Sequence, residues 1–111
     1  MEQVTLVGHK AKEEGLVSDF TPIESDCIMR SLAQSLKNTL DGDLHCKEIR
    51  NGQRIEKIKL YNDSIQGHII HVPIDTFGEK HAEVRAVLNV SSGQDLLEEA
   101  ITSNDFSVTV T

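Results

Sequence analysis

Tryptophan is absent from this chain of 111 residues, and only Phe20, Tyr61, Phe77 and Phe106 carry large aromatic rings. A protein that stacks nucleic-acid bases on its surface needs several exposed rings. The scarcity of aromatic residues therefore disfavours such a surface. It also requires a core that is built from aliphatic side chains.

The short motifs of the common enzyme and cofactor classes are absent as well. The sequence contains no glycine-rich phosphate loop, no GxGxxG, no HExxH, no GxSxG, no CxxC and no EF-hand loop. Each of these motifs supplies a backbone cradle, a nucleophile or a set of metal ligands that the corresponding chemistry requires. We therefore predict that the chain is not an enzyme and carries no cofactor or metal.

Cysteine is scarce, since only Cys27 and Cys46 are present. The first residues show neither the basic nor the apolar region of a signal peptide, and no apolar run is long enough to span a bilayer. Two isolated thiols without a leader are typical of a reducing compartment. We therefore expect a cytoplasmic protein that has no membrane partner.

Acidic residues outnumber basic ones, and the formal net charge is −7. This charge disfavours nucleic acid and anionic membranes as partners. The balance is reversed over residues 44–61, which carry five basic and two acidic side chains. A weak nucleic-acid contact through this basic hairpin, residues 47–59, is therefore one alternative function. Strand alternation is expected to send its charges to both faces of a sheet.

The clearest local signal is a helix start at Thr21-Pro22-Ile23-Glu24, which is a capping box with proline at the first helical position. Gly42 supplies a stop signal. Ile23 and Cys27 lie off the apolar stripe of this helix, and we regard them as candidate partner contacts. For Cys27 we favour a half-buried, inert thiol over an exposed, reactive one. The stripe itself consists of Ile28, Met29, Leu32, Ala33, Leu36 and Leu40.

After this helix the apolar period changes to two, which is typical of strands. Asn51-Gly52 predicts a two-residue hairpin turn that places Lys47 opposite Glu56 and Ile49 opposite Arg54.

Two further strands are predicted, one over 67–74 and one ending at Val90. Their apolar residues are expected to share one face, and the prediction groups Ile70, Val72 and Ile74 with Val84, Ala86 and Leu88. Pro73 cannot donate a backbone hydrogen bond, so it predicts an edge, a bulge or a last rung there.

The remaining sequence predicts a second helix and a final strand. Ser92 and Asp95 form a capping pair, and an apolar stripe of Leu96, Leu97, Ala100 and Ile101 follows. Residues 106–111, FSVTVT, are typical of a strand. We predict a single domain over 1–111, with 8–20 a mobile loop. Its fold class is α+β, a two-layer sandwich in which two amphipathic helices cover one face of a mainly antiparallel sheet of four to six strands.

Three histidines lie between residues 67 and 86, and strand parity groups His71 and His81 with Glu83 and Arg85 on the face opposite the core. An imidazole beside a carboxylate suits acid–base chemistry, and two imidazoles with a carboxylate suit zinc. The other interpretation is a solvated outer face that carries a cross-strand charge pair. This set is therefore a candidate binding surface, with a small enzyme or metal site as an alternative.

The final strand is uncharged and rich in β-branched residues, among them Val108 and Val110. At a sheet edge such a strand would favour strand addition, either in a homodimer or with a partner. A first strand is predicted at Val4 to Val7, and beside it the final strand would instead be an interior strand. Together, these features favour a small acidic protein-binding module, such as an inhibitor, an immunity factor or a regulatory subunit, that acts through its sheet edge or its outer sheet face.

Overall fold

A computed structural model of the chain describes residues 2–12, 15–17, 20–39, 43–76, 79–91 and 106–110. These residues form seven strands and one helix. In chain order they are β1 (Glu2–Lys12), β2 (Gly15–Val17), α1 (Pro22–Thr39), β3 (His45–Asn51), β4 (Arg54–Tyr61), β5 (Ile65–Thr76), β6 (Glu79–Val90) and β7 (Phe106–Val110). The class is α+β, as predicted, and most of the described residues belong to the sheet.

All strand pairs in the sheet are antiparallel, and the path of neighbours is β2-β1-β6-β5-β4-β3. Strand β7 pairs with β1. Because Leu6 and Val7 each pair with both β6 and β7, β7 lies along the opposite edge of β1 from β6. Among the described strands, β3 is the outer strand at one end of the sheet, and β2 and β7 each pair only with β1 at the other end.

Helix α1 begins at the predicted capping box. The backbone amide of Glu24 donates to Thr21 Oγ1 at 3.3 Å, and the amide of Thr21 donates to Glu24 Oε1 at 3.2 Å. Reciprocal bonds of this kind satisfy amides that the first helical turn leaves without partners. The helix end at Thr39 lies close to the predicted stop, although Gly42 is outside the described residues.

One face of α1 packs on the sheet, against β3, β4, β5 and β6. Met29, Leu32, Ala33 and Leu36 are buried there, as the stripe predicted, and Ile28 is partly buried. Full burial of one leucine contributes about 2 kcal/mol. The sheet side of this core contains Val4, Leu6, Ile55, Ile58, Leu60, Ile65, Ile69, Val84, Ala86, Leu88 and Val90.

Two ion-pair groups connect α1 to the β3–β4 hairpin. Arg54 donates from Nε and Nη2 to the two carboxylate oxygens of Asp26, at 2.9 and 3.3 Å. Glu48 of β3 accepts from Arg30 of α1 at 3.2 Å and from Arg50 at 3.1 Å. The hairpin is therefore fixed to the helix by charges as well as by the core.

The hairpin itself differs from its predicted register. The two turn residues are Gly52 and Gln53, with Asn51 paired to Arg54, and Gly52 has a φ of 67°. A turn with positive φ at its first central position favours glycine there. The predicted pairs of Lys47 with Glu56 and Ile49 with Arg54 are wrong, since the turn starts one residue later.

A β-bulge in β4 of the same hairpin changes which side of the sheet the following residues face. Arg50 pairs with Ile55 and Ile49 pairs with Lys57, so Glu56 is an extra residue in β4. Ile55 and Ile58 are both fully buried although they are three residues apart. In a regular strand residues three apart face opposite sides, so the bulge is what allows both to enter the core.

The predicted face of β5 is also wrong. Ile70 pairs with Arg85, whereas Ile69 pairs with Ala86 and is fully buried. Gly67 fixes this phase, because it lies opposite Leu88 on the core side. A Cβ at Gly67 would collide with the Val87 carbonyl oxygen and would lie 2.8 Å from Leu88 Cα. Only glycine fits there.

Two predictions for the segments between the strands have different outcomes. The segment 8–20 was predicted as a loop, but β1 continues to Lys12, β2 pairs back onto it, and buried Phe20 forms an antiparallel bridge with Ala82. The second helix was predicted over residues that lie outside the described ones, so it stays a prediction. The described part of the chain contains no helix that is long and apolar enough to cross a membrane.

Candidate binding face

The side of the sheet away from α1, here called the outer face, contains at its centre two adjacent rows of directly opposed residues across five strands. Cross-strand partners share a face, so the registers define each row. One row contains Thr5, Val87, His68, Lys59 and Lys47. The next contains Val7, Arg85, Ile70, Lys57 and Ile49. The outer face therefore mixes aliphatic and basic side chains.

The aliphatic residues of this face remain partly accessible. Val7, Ile49, Ile70 and Val87 are half-buried, in contrast to their fully buried neighbours on the core side. Half-exposed β-branched residues on neighbouring strands of one sheet face give a surface that a partner can desolvate. The sequence contained this signal in Ile69-Ile70, two adjacent isoleucines that must face opposite sides of a strand.

Three lysines at the β3–β4 end of the outer face, Lys47, Lys57 and Lys59, form what is here called the lysine cluster. Lys47 and Lys59 are exposed and directly opposed, and Lys57 is half-buried two residues from Lys59. At the corner beyond them the rings of His45 and Tyr61 stack with centroids 4.9 Å apart. The cluster gives this end of the face a local positive charge.

The four predicted binding residues separate into two groups. Glu83 and Arg85 form a close ion pair, with Arg85 Nη2 donating to Glu83 Oε1 at 2.6 Å, and His81 is two residues from Glu83 on the same strand. His71 instead pairs with Val84, so it lies on the core side and not with the other three. The prediction that His71 shares a face with Glu83 and Arg85 is wrong. It assumed that Ile70 faces the core, whereas Ile69 does.

This separation removes the geometric basis of the alternative metal site. His71 Nδ1 is buried and has no hydrogen-bond partner among the described residues. Those residues contain no group of three or more histidine, cysteine, aspartate or glutamate side chains that is placed to hold a metal ion. His71 and His81 pair into opposite sides of the sheet, with Val84 and Ile74 respectively, so they cannot share one ion.

The outer strands β3 and β7 differ in their sequence. Edge strand β3 carries His45, Lys47, Glu48 and Arg50, and charged residues discourage unwanted strand pairing. Strand β7 carries no charge, and its backbone pairs Val108 with Gly8 and Val110 with Leu6. It thus lies beside the first strand and also forms an edge within the described part of the sheet. Strand addition at Val108 and Val110 stays a prediction.

The helix presents the other predicted contact residues. Ile23 is 77% exposed, in keeping with its position off the apolar stripe. Cys27 is also exposed, so the half-buried position that we favoured for it is wrong. Ile23 is a single exposed apolar side chain, and such isolated residues are common on protein surfaces.

Pro73 in β5 also matches its prediction, because the pairing of β4 with β5 ends at Ile70 and leaves the β4 side of Pro73 without a partner among the described strands.

A groove of about 350 Å³ separates α1 from β3, and Arg30, Lys37, Cys46 and Glu48 line it. Cys46 is exposed as a residue, but partial burial of its thiol against α1 raises the pKa above its ordinary value, and nearby Lys37 lowers it by a smaller amount. The thiol is therefore protonated at neutral pH, and the groove offers no activated nucleophile.

Comparison of the chain with protein-family models, with curated proteins and with solved structures finds no match.

Proposed function

We propose that this chain is a protein-binding module and that its outer face contacts the partner. One observation carries the proposal: the solvent side of the sheet bears a patch of half-exposed aliphatic residues, namely Val7, Ile49, Ile70 and Val87. Protein interfaces bury apolar residues at their centre and place polar groups at the rim. The proposal covers inhibitors, immunity factors and regulatory subunits, and we propose no catalytic role.

The surrounding structure supports such a role, because the patch is on strands rather than on loops. Strands β5 and β6 pair over twelve successive residues, and α1 supports them from the other side. A rigid surface loses little conformational freedom when it binds, which favours affinity. The finer architecture, a two-layer sandwich with a second helix over 92–101, is also a proposal, supported by the sequence pattern described above.

The test is affinity capture from the native cytoplasm with three forms of the full chain. The wild type is compared with the double variant Ile70→Ser and Val87→Ser, which makes the patch polar. The matched control is Ile23→Ser, which removes the exposed isoleucine of α1. We expect a specific protein to be retained by the wild type and by the control, and to be lost from the double variant.

Other results would count against the proposal. Loss of the retained protein in the Ile23→Ser control alone would move the contact to α1. Retention of no protein by the wild type would reject a protein-binding role. Circular dichroism of all three forms shows whether the variants are folded.

Nucleic-acid binding is a second candidate function, because the lysine cluster gathers three basic side chains of the hairpin on one face. Its test is retention of a 20-nucleotide single strand of DNA or RNA at low salt. The absence of salt-dependent retention would reject it.

A further inference from the structure

We infer that the partner segment that binds the outer face is an acidic stretch of protein, with carboxylates that contact the lysine cluster and an apolar side chain that contacts Ile70. This inference rests on the proposed function, since it specifies the chemistry of the partner for the same face. It concerns Lys47, Lys57 and Lys59, which form no ion pair with the described residues.

Within the described residues, the arginines form ion pairs and these three lysines do not. All four arginines of the chain pair with a carboxylate: Arg30 and Arg50 with Glu48, Arg54 with Asp26, and Arg85 with Glu83. None of the three lysines of the cluster has an ion pair in the same part of the structure. The positive charge of the outer face is thus concentrated on the lysine cluster.

The arrangement of the cluster opposes folding. Directly opposed residues in an antiparallel pair have Cβ atoms about 5 Å apart, and like charges at that spacing are destabilising. Lys47 and Lys59 occupy such positions, and Lys57 is the next residue of β4 on the same face. Departures from favourable local pairing are expected at functional sites. Carboxylates of a partner would remove the repulsion.

The neighbours of the cluster favour protein over nucleic acid. Lys57 lies between Ile49 and Ile70 in its row, so a ligand that reaches the ammonium group also covers two half-exposed isoleucines. A phosphate backbone gains nothing from that apolar surface, whereas an acidic segment with an aliphatic or aromatic residue does. Tyr61 is 50% exposed but is stacked on His45, and the net charge of −7 repels a polyanion.

The experiment selects ligands without assuming a partner. A random library of 12-residue peptides is selected against the full chain, and the selected peptides are titrated into ¹⁵N-labelled protein. We expect selected peptides to be enriched in Asp and Glu together with an apolar residue, and to shift the amide signals of His68, Ile70 and Lys59. Binding should weaken at least tenfold in the double variant Lys47→Glu and Lys59→Glu. It should be unchanged in Lys37→Glu, which reverses a lysine on α1.

Each alternative result has a distinct meaning. Selected peptides that shift the outer face without an excess of acidic residues would overturn the inference and leave the proposed function intact. Peptides that bind only at α1, or a selection without any binder, would overturn both. A 20-nucleotide DNA or RNA strand that binds the same amides more tightly than the acidic peptides would overturn the inference in favour of nucleic acid.

Discussion

Lys47 lies directly opposite Lys59 in the β3–β4 ladder, on the side of the sheet that faces away from the helix. Replacing Lys47 by Glu converts this like-charge pair into a pair of opposite charges. We therefore expect the free energy of unfolding to rise by about 0.2–1 kcal/mol. Urea unfolding at low salt, followed by circular dichroism, measures the change.

The matched control for this prediction is Lys37→Glu, which reverses a lysine in the last turn of α1. A negative charge there opposes the helix dipole, so its stability should fall slightly. If Lys47→Glu lowers the free energy of unfolding as much as Lys37→Glu does, the opposed lysines do not repel each other. If Lys47→Glu instead stabilises the fold while it weakens peptide binding, Lys47 serves binding at the expense of stability.

Gly67 is the position in β5 where the backbone of β6 approaches most closely. We expect Gly67→Ala to lower the free energy of unfolding by about 1–3 kcal/mol or more, since the new Cβ has no space beside Val87 and Leu88. The matched control is Gly52→Ala, where a Cβ meets nothing within 4 Å and only the positive φ is unfavourable. Its cost should be about 1 kcal/mol. Equal costs at the two positions, by urea unfolding, would contradict the steric argument.

Arg54 and Asp26 form the two-bond ion pair that joins the hairpin to α1. Asp26 is 18% exposed, so this pair is screened less than a pair on the open surface. A double-mutant cycle with Arg54→Ala and Asp26→Ala should give a coupling energy of about 0.5–1 kcal/mol. The equivalent cycle for exposed Arg50 and Glu48 should give a smaller value. Lysine at position 54 keeps the charge but loses the paired geometry, so it should not restore the full coupling.

Cys46 should titrate above an ordinary thiol, because burial raises its pKa and Lys37 lowers it only in part. The pH dependence of iodoacetamide labelling measures this, and the midpoint should fall to the ordinary value in denaturant. Lys37→Gln should raise the midpoint in the folded protein further.

The same shift predicts how stability depends on pH. The thiol ionises at lower pH in the unfolded chain than in the folded one. Its contribution is therefore fully present below the unfolded pKa and is lost as pH rises through the folded pKa. Cys46→Ser should remove that loss. A folded-state midpoint at or below the ordinary thiol value would contradict both statements.

Local sequence signals predicted where helices and strands lie better than they predicted which face of the sheet each side chain occupies. Thr21 and Glu24 specified the start of α1, because a capping box is satisfied by residues three apart. Apolar alternation predicted the wrong face of β5, since Ile70, Val72 and Ile74 indicate one phase of the strand, whereas the buried Ile69 requires the other. The steric requirement at Gly67 decides between them, and it depends on β6, which is distant in sequence.

The candidate site was affected by the same limitation. Glu83 and Arg85 were correctly expected together because they are two apart on one strand. His71 was misplaced because its face depends on the phase of β5. The lysine cluster was missed because Lys47 faces Lys59 only through the shifted turn and the bulge at Glu56.

The bulge at Glu56 determines how the fold responds to variants with one residue more or fewer in β4. Without Glu56, β4 would read Ile-Lys-Ile-Lys-Leu-Tyr, a regular alternation in which every isoleucine still enters the core and both lysines keep their side. Loss of this residue should therefore be tolerated, whereas insertion of one residue elsewhere in β4 would turn lysines inward and isoleucines outward. At this hairpin a single residue of length determines which side of the molecule is basic.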